Sequence, residues 1–183
     1  MKAILTCAGF DNDNLVPVFL NLLGQPSERV KALFIPTALN TPAAREYIHV
    51  FMEDLYKVGI IDENIDLYDL NEPFEEKKIK EYSVIFFCPG DPGFLLKKVN
   101  EMKFAEVLKV FNDNGGVYIG VSAGSDIAAL NLPENLGYLN ATIECHAKEG
   151  HITGLLDTDS APLVKLTDNQ AIVINGSRVE VVE

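Results

Sequence analysis

Residues 115–129 read GGVYIGVSAGSDIAA, and this stretch decides the fold that we expect. The apolar run 117–119 predicts a strand, and the small residues after Ser122 are compatible with a helix. Between them stands Gly120-Val121-Ser122-Ala123-Gly124, the G-x-S-x-G pattern of a strand–turn–helix nucleophile elbow, in which the glycines tolerate a strained turn. This predicts Ser122 as a nucleophile at the carboxyl edge of a sheet, with the Ala123 N–H facing a developing oxyanion. The alternative interpretation is a tight turn capped by the serine.

The rest of the chain alternates strands and helices around this stretch. Apolar runs predict strands at residues 3–7, 30–35, 64–70 and 84–88, and helical spacing predicts helices at residues 15–23, 42–58, 94–99 and 104–112. Short strands are expected at 163–166, 171–174 and 179–182, with Asn175-Gly176 as a hairpin turn. The pattern indicates an α/β fold of three layers, α/β/α, with a largely parallel central sheet and antiparallel C-terminal strands. Because 183 residues show no repeat or linker, we expect a single domain over residues 1–183.

Composition narrows the possible partners and location. The formal net charge of −12 argues against nucleic acid and against an anionic membrane, since both are polyanions. The N-terminal apolar run is too short for a signal peptide and no run approaches a membrane span, so we expect a cytoplasmic protein. Three widely spaced cysteines without a C-x-x-C suggest neither a disulfide framework nor a zinc site. Cys7 and Cys88 are interpreted as packing residues, and Cys145 is given no role.

A second candidate feature is residues 88–96, CPGDPGFLL, which follow an apolar strand and open a helix. Their loop is expected at the same sheet edge as the elbow, where doubly wound sheets bind ligands. The backbone N–H of Gly90 is a candidate second oxyanion donor beside that of Ala123. The alternative is a Pro/Gly turn in which Asp91 caps the helix.

A serine nucleophile needs a base, and the chain has three histidines. His49 lies in the predicted helix 42–58 and is interpreted as a surface or packing residue. His146 ends a short strand-like stretch that should return to the sheet edge, and spacing favours it over His151 in the following loop. Candidates for the acid that orients the imidazole share only their charge and their position after the elbow: Asp126, Glu134, Glu144, Asp157, Asp159 and Asp168. Of these, Asp168 sits in a turn between two strands, where a fixed backbone can aim it.

These residues resemble peptidase family S51, the family of aspartyl dipeptidase (peptidase E) and cyanophycinase. The resemblance runs through ALFIPTA at residues 32–38, the loop 86–96, GVSAGS at 120–125, LGYL at 136–139 leading to His146, and the hairpin around Asn175. It implies a class I glutamine amidotransferase-like (flavodoxin-like) fold. It also implies a triad of Ser122, His146 and Asp168, where relatives often carry glutamate at the last position.

The chain departs from the family pattern at one loop. The family's G-G-[ND]-T stands here as Pro89-Gly90-Asp91-Pro92, and Pro89 has no N–H to donate. Gly90 and Ala123 would therefore have to form the oxyanion hole. The segment between His146 and Leu163 is also shorter than in most relatives. None of the three arginines lies in a motif expected at the site, so specificity for an N-terminal aspartate does not follow.

The sequence thus indicates a serine-type hydrolase of the S51 type that cleaves small peptides, with Asp-X dipeptides as candidate substrates. Ser122, His146 and Asp168 are the expected catalytic residues, and Gly90, Asp91 and Ala123 the expected oxyanion or substrate-binding residues. The chemistry requires no metal or cofactor. The expected partner is a small peptide, and a homodimer is one option for assembly. The alternatives are a catalytically silent S51-like binding protein and an esterase or amidase on the same scaffold.

Overall fold

The computed structural model describes residues 1–183 and contains a central sheet of eight strands. The ten strands of the chain are β1 (Lys2–Thr6), β2 (Lys31–Ile35), β3 (Ile65–Leu67), β4 (Tyr82–Phe87), β5 (Val117–Val121), β6 (Thr142–Glu144), β7 (Gly154–Leu155), β8 (Leu163–Lys165), β9 (Ala171–Asn175) and β10 (Arg178–Val182). The α-helices are α1 (Leu15–Leu23), α2 (Pro42–Arg45), α3 (Ile48–Lys57), α4 (Pro92–Glu101), α5 (Phe104–Asp113) and α6 (Ala123–Asp126).

The central sheet has the strand order β3-β2-β4-β5-β1-β9-β10-β7. The first five strands are parallel, and β9, β10 and β7 each run antiparallel to their inner neighbour. The expected mixed α/β fold with a mostly parallel sheet and antiparallel C-terminal strands is therefore confirmed. The hairpin expected at Asn175-Gly176 joins β9 to β10.

Alternating residues of each strand enter different cores on the two faces of the sheet, as the period of two in a strand requires. In β4, Ile85 and Phe87 pack with the apolar faces of α4 and α5, whereas Val84 and Phe86 pack with α1 and α3. Helices thus cover both faces, which explains why the central strands read as continuous apolar runs.

The parallel register brings the carboxyl ends of three strands to one edge. Thr6 of β1 lies opposite Val121 of β5, and Phe87 of β4 lies opposite Gly120. The chain that leaves each strand, at Cys7, Cys88 and Ser122, therefore begins at the same edge of the sheet. This is where ligands bind in doubly wound sheets.

Two expected elements differ in the structure. The helix predicted over residues 42–58 is divided into α2 and α3, because the apolar spacing that predicted it lies in α3 and its C-cap Val58, and α2 buries no residue. The strand predicted at 163–166 is β8, which pairs in parallel with β6 in a separate two-stranded sheet. Two residues of β7 occupy the outer edge of the central sheet instead.

Candidate functional site

Ser122 occupies a strained turn between β5 and α6. Its backbone has φ 47° and ψ −101°, a positive φ that a non-glycine residue rarely adopts. Its N–H donates a hydrogen bond of 2.9 Å to the carbonyl oxygen of Thr6, at the end of β1. The neighbouring strand thus holds the turn in place, and the half-buried serine has the geometry predicted for a nucleophile elbow.

The two glycines of the elbow are required by close packing. A Cβ on Gly120 would lie 2.6 Å from the carbonyl carbon and oxygen of Gly124. A Cβ on Gly124 would lie 2.7 Å from the Cβ of Phe87 on β4. Strand and helix therefore approach to a distance that no side chain permits, as G-x-S-x-G predicted.

Buried hydrogen bonds lock the elbow from beneath. The hydroxyl of Ser125 lies 2.8 Å from the carbonyl oxygen of Thr6 and 2.7 Å from that of Gly120, and it can donate to either. The Tyr118 hydroxyl donates to the carbonyl oxygen of Gly124 over 2.6 Å. Sequence reasoning missed both residues, although a tyrosine within an apolar strand is a signal, because a buried hydroxyl needs a partner.

The loop after β4 contains Gly90 and Asp91. Gly90 has φ 140°, and a Cβ there would collide with the carbonyl oxygen of Ala38. Its N–H makes no hydrogen bond within the chain. The Asp91 carboxylate accepts 2.9 Å from the N–H of Phe94 and 3.1 Å from the side-chain amide of Asn40. Asp91 is therefore the cap of α4, which was the alternative interpretation of this residue.

The His146 imidazole is paired with the Asp168 carboxylate. Nδ1 of the histidine lies 2.6 Å from Oδ1 of the aspartate, and the two side chains are 58% and 57% exposed. His146 also has a positive φ of 58°, so a non-glycine residue is held in a rare conformation here as well. The structure thus brings together the histidine and the acid that the sequence favoured.

The other candidate base, His151, and the candidate acid Asp126 have different partners. His151 does not line the pocket that holds Ser122, and its backbone is tied to Lys165 and Gln170. Asp126 accepts 2.8 Å from the amide of Asn131, which also binds both backbone groups of Ile143 in β6. Burial raises the pKa of Asp126 to about 6. Asp126 therefore braces β6 and does not contact the imidazole.

Ser122 and His146 line one pocket of about 340 Å³ at the carboxyl edge of the sheet. The structure contains no direct hydrogen bond between the two side chains. Bonds of this kind often form fully only in the complex with substrate. The other lining residues are apolar or acidic: Cys7, Ala8, Asp11, Val50, Phe51, Asp54, Pro89 and Val121. No lysine or arginine is among them.

Asp54 on α3 is the half-buried carboxylate of this pocket. One of its oxygens accepts 3.0 Å from the N–H of Phe10, and its Oδ2 has no hydrogen-bond partner. Burial raises its pKa to about 6, and the charge of Asp11 acts in the same direction, whereas the bond from Phe10 and the nearby Lys57 lower it. Sequence reasoning missed Asp54, because nothing in a surface helix marks which of its carboxylates turns toward a distant strand edge.

The structure corrects the interpretation of the cysteines. Cys7 and Cys145 form a disulfide across 138 positions of sequence, with their Cα atoms 5.3 Å apart. The expectation of no disulfide was wrong because cysteine number and spacing do not report pairs that the fold brings together. Cys88 is the free cysteine and is buried, as expected of a packing residue.

Comparison of the sequence with known protein families shows which family the chain belongs to. Residues 4–144 match peptidase family S51. The chain belongs to that family. This S51 chain is 24% identical, over 132 residues, to an uncharacterised peptidase from Pasteurella multocida (strain Pm70), covering 72% of the chain and 62% of that relative. It thus spans less than two thirds of the length of this relative.

Two solved structures share the fold. A protein from Listeria monocytogenes EGD-e described as a candidate peptidase E has a TM-score of 0.74 at 19% identity, with 100% of this chain and 98% of that chain covered. A peptidase from an acI-B1 Actinobacterium has a TM-score of 0.69 at 15% identity, with coverages of 99% and 86%. The TM-scores show that the fold is shared, and at identities this low the likeness shows nothing beyond the fold.

No group of three or more His, Cys, Asp and Glu side chains is placed to hold a metal ion. None of the α-helices has the length and apolar character needed to cross a membrane.

Proposed function

We propose that this S51 chain is a serine peptidase that hydrolyses small peptides, with Ser122 as nucleophile, His146 as general base and Asp168 as the acid that orients the imidazole. One observation carries the proposal. Ser122, on its strained turn, lines the same pocket as His146, whose Nδ1 is held 2.6 Å from the Asp168 carboxylate. A nucleophile, a base and an orienting acid are the three parts that acyl transfer requires.

The chemistry follows from these positions. Ser122 Oγ attacks the peptide carbonyl carbon while Nε2 of His146 takes the hydroxyl proton, and the same nitrogen then protonates the leaving amine. Asp168 accepts the Nδ1–H, which fixes the tautomer and stabilises the imidazolium. The N–H groups of Gly90 and Ala123 are assigned to the tetrahedral oxyanion, because the first has no partner in the chain and the second opens a helix. Water then attacks the acyl-enzyme with His146 again as the base.

The charge of the pocket affects which substrate side chains can bind there. The pocket is lined by the carboxylates Asp11 and Asp54 and by no lysine or arginine, and the nearby Lys57 is paired with Asp13 at 2.8 Å. Arg45, a cation of the neighbouring α2, is paired with Asp69 at 2.6 Å. An acidic substrate side chain would therefore be repelled in this pocket, so a neutral residue is a better substrate than aspartate.

Labelling with a fluorophosphonate probe, together with hydrolysis of a dipeptide panel, tests the catalytic assignment. We expect the wild-type protein and His151→Ala to react and to hydrolyse dipeptides. Ser122→Ala should lose both activities, and His146→Ala should lose at least about a hundredfold in rate. Loss in His151→Ala with retention in His146→Ala would overturn the choice of base. A folded wild-type protein that neither labels nor cleaves any dipeptide would support the catalytically silent alternative, and turnover of esters alone would support the esterase.

The dipeptides Asn-Leu and Asp-Leu, which differ in charge at nearly constant shape, test the effect of the pocket carboxylates. A repulsion of about 1.4 kcal/mol makes kcat/KM about tenfold higher for Asn-Leu. The substitution Asp54→Asn should narrow that ratio. A preference for Asp-Leu in the wild-type protein would show that the side chain of the first substrate residue, whose carbonyl carbon is attacked, does not contact Asp11 or Asp54.

A further inference from the structure

The Cys7–Cys145 disulfide lies at the junction of the two halves of the candidate site. Cys7 directly follows β1, whose last residue, Thr6, accepts the hydrogen bond from the Ser122 N–H. Cys145 directly precedes His146. Cys7 also lines the pocket that contains Ser122 and His146. The bond therefore connects the strand that supports the nucleophile to the segment that carries the base.

The Cys7 end of this link is fixed. Its residue is 3% exposed, and β1 pairs with β5 on one side and β9 on the other. Whatever is bonded to the Cys7 sulfur is thereby held at a constant position relative to Ser122.

The His146 end has little other support. The backbone N–H groups of Cys145 and His146 donate no hydrogen bond within the chain, and the imidazole is mostly exposed. Flanking ties hold the neighbours of this pair. Asn131 binds Ile143 in β6, the Leu166 N–H donates 2.9 Å to the Glu144 carbonyl oxygen, and the Ala147 N–H donates 2.9 Å to the Leu166 carbonyl oxygen. None of these hydrogen bonds joins the His146 segment to β1.

Asp168, the partner of His146, lies in the turn before β9, between the buried Leu166 and Gln170. Its side chain is exposed, and its loop is tied to the segment after β1 by an exposed hydrogen bond of 2.9 Å from the Asn12 amide to the Asn169 carbonyl oxygen. Exposed hydrogen bonds exchange readily with water and hold a position weakly. The disulfide is the covalent link between β1 and the segment that carries His146, and it therefore restrains the distance between His146 and Ser122.

We propose that the Cys7–Cys145 disulfide is a positioning element for the base, so that proton transfer from Ser122 to His146 depends on the oxidised pair. The proposal rests on the proposed function, because it assigns the disulfide a role in that reaction. Its two cysteines are positioning residues, since they act through His146. It also makes the site sensitive to dithiol reductants.

The reduction is a two-step exchange. A thiolate of the dithiol attacks a sulfur of the pair, and attack at the half-buried Cys145 is favoured over attack at the buried Cys7. This forms a mixed disulfide and releases the Cys7 thiolate. The second thiol of the reductant then closes its own disulfide and releases Cys145. Two electrons pass from the dithiol to the protein, and two protons complete the cysteine thiols.

Activity before and after dithiothreitol treatment is the first test. A thiol count under denaturing conditions should show one free thiol, Cys88, in the oxidised protein and all three cysteines free after reduction. We expect reduction to lower kcat by about tenfold or more with little change in KM, because the base and not the substrate pocket is displaced. Removal of the reductant and reoxidation with oxidised glutathione should restore kcat. A pair that does not form on oxidation, or a folded reduced protein with unchanged kcat, would overturn the proposal.

Variants separate positioning from general stability. Cys7→Ala/Cys145→Ala should show the low kcat of the reduced protein and no response to dithiothreitol. Cys88→Ala, which removes the free thiol, should keep the full response. All rates are measured at a temperature where circular dichroism shows each variant to be folded. A loss of kcat that only follows the folded fraction would assign the disulfide a purely structural role.

Nuclear magnetic resonance of the three histidines gives a readout that does not depend on turnover. The imidazole Cε1–H signal of His146, assigned by its absence in His146→Gln, should shift on reduction, while those of His49 and His151 remain. If no peptide is cleaved in either redox state, the proposed function fails, and this signal alone decides whether the disulfide positions His146. An unchanged His146 signal in the fully reduced protein would rule the positioning role out.

Discussion

The two halves of the candidate site are held in different ways. The proposed nucleophile, Ser122, sits on a turn enclosed by the core: Ala123 and Ser125 are fully buried, and a Cβ added to Gly120 or Gly124 would overlap with backbone or Cβ atoms. The proposed base, His146, sits on a short segment after β6, and its imidazole and the carboxylate that it contacts are each more than half exposed. One half is part of the hydrophobic core, and the other is attached to its surface.

Because of this difference, we expect substitutions in the two halves to affect different quantities, stability in one half and activity in the other. A substitution in the elbow disturbs the packing that also stabilises β1, β4 and β5, so its effect appears in the free energy of unfolding. A substitution in the His146–Asp168 pair removes few buried contacts, so its effect appears in the rate.

Gly120→Ala should destabilise the elbow, which is the half of the site that the core encloses. The new Cβ would meet the Gly124 carbonyl group at 2.6 Å and the Ser125 nitrogen at 2.8 Å, and these backbone atoms cannot yield without moving α6 from β5. We expect the free energy of unfolding to fall by about 3 kcal/mol or more, measured by urea denaturation.

Gly93→Ala is the matched control for that change. Gly93 lies in the first turn of α4, where an added Cβ would approach only the Asp91 carboxylate, at 3.4 Å. Its free energy of unfolding should stay within about 0.5 kcal/mol of wild type. An equal loss in both variants would mean that any added methyl group is costly at this edge, and that the elbow is not specially constrained.

Asp54→Asn tests how the charge of a pocket residue affects stability, since Asp54 lines the same pocket as Ser122 and His146. Asp54 has a pKa of about 6 in the folded protein against 3.8 for a free side chain, because burial disfavours its charged form. The folded state thus binds more protons than the unfolded state between these values, so this residue lowers stability as pH rises from about 4 to about 6. The asparagine can keep the bond from Phe10 without the charge.

We therefore expect Asp54→Asn to be more stable than wild type by about 1–2 kcal/mol above pH 6.5, after discounting for partial solvation, with the gain absent near pH 4. Unfolding curves across this pH range measure it. Asp11→Asn, which removes the exposed carboxylate of the same pocket, is the control and should change stability by less than about 0.5 kcal/mol. A gain that persists at pH 4 would show that charge is not its cause.

The sequence predicted the features that depend on local pattern. Apolar periodicity predicted the central strands, and G-x-S-x-G predicted the elbow, because both express contacts between neighbours in the chain. The family resemblance pointed to His146 and Asp168, which the structure places 2.6 Å apart. The cap formed by Asp91 was also among the interpretations, since capping residues have a fixed spacing from the helix that they begin.

Features that join distant parts of the chain were missed. The Cys7–Cys145 pair spans 138 positions, and the pairing of β6 with β8 was not predicted. Asp54 reaches the pocket because α3 lies beside the segment that follows β1, where Phe10 donates to its carboxylate. No local period records such contacts, because they depend on how completed elements pack against one another. The restraint on His146 was therefore less predictable than the turn that holds Ser122.

Asp168→Asn should have the smallest effect on the free energy of unfolding and a large effect on kcat. It therefore distinguishes the exposed half of the site from the buried half most clearly. The pair that it alters is exposed, and exposed ion pairs contribute about 0–1 kcal/mol, so the free energy of unfolding should change by less than about 0.5 kcal/mol. The asparagine amide can no longer accept the Nδ1–H as a charged partner, so the imidazole loses its preferred tautomer and kcat should fall by about a hundredfold or more. Asp157→Asn, in the loop before β8, is a control that should leave both quantities unchanged. Should Asp168→Asn retain full activity, the acid of the site would lie elsewhere, and the His146–Asp168 contact would only support the surface segment that carries the base.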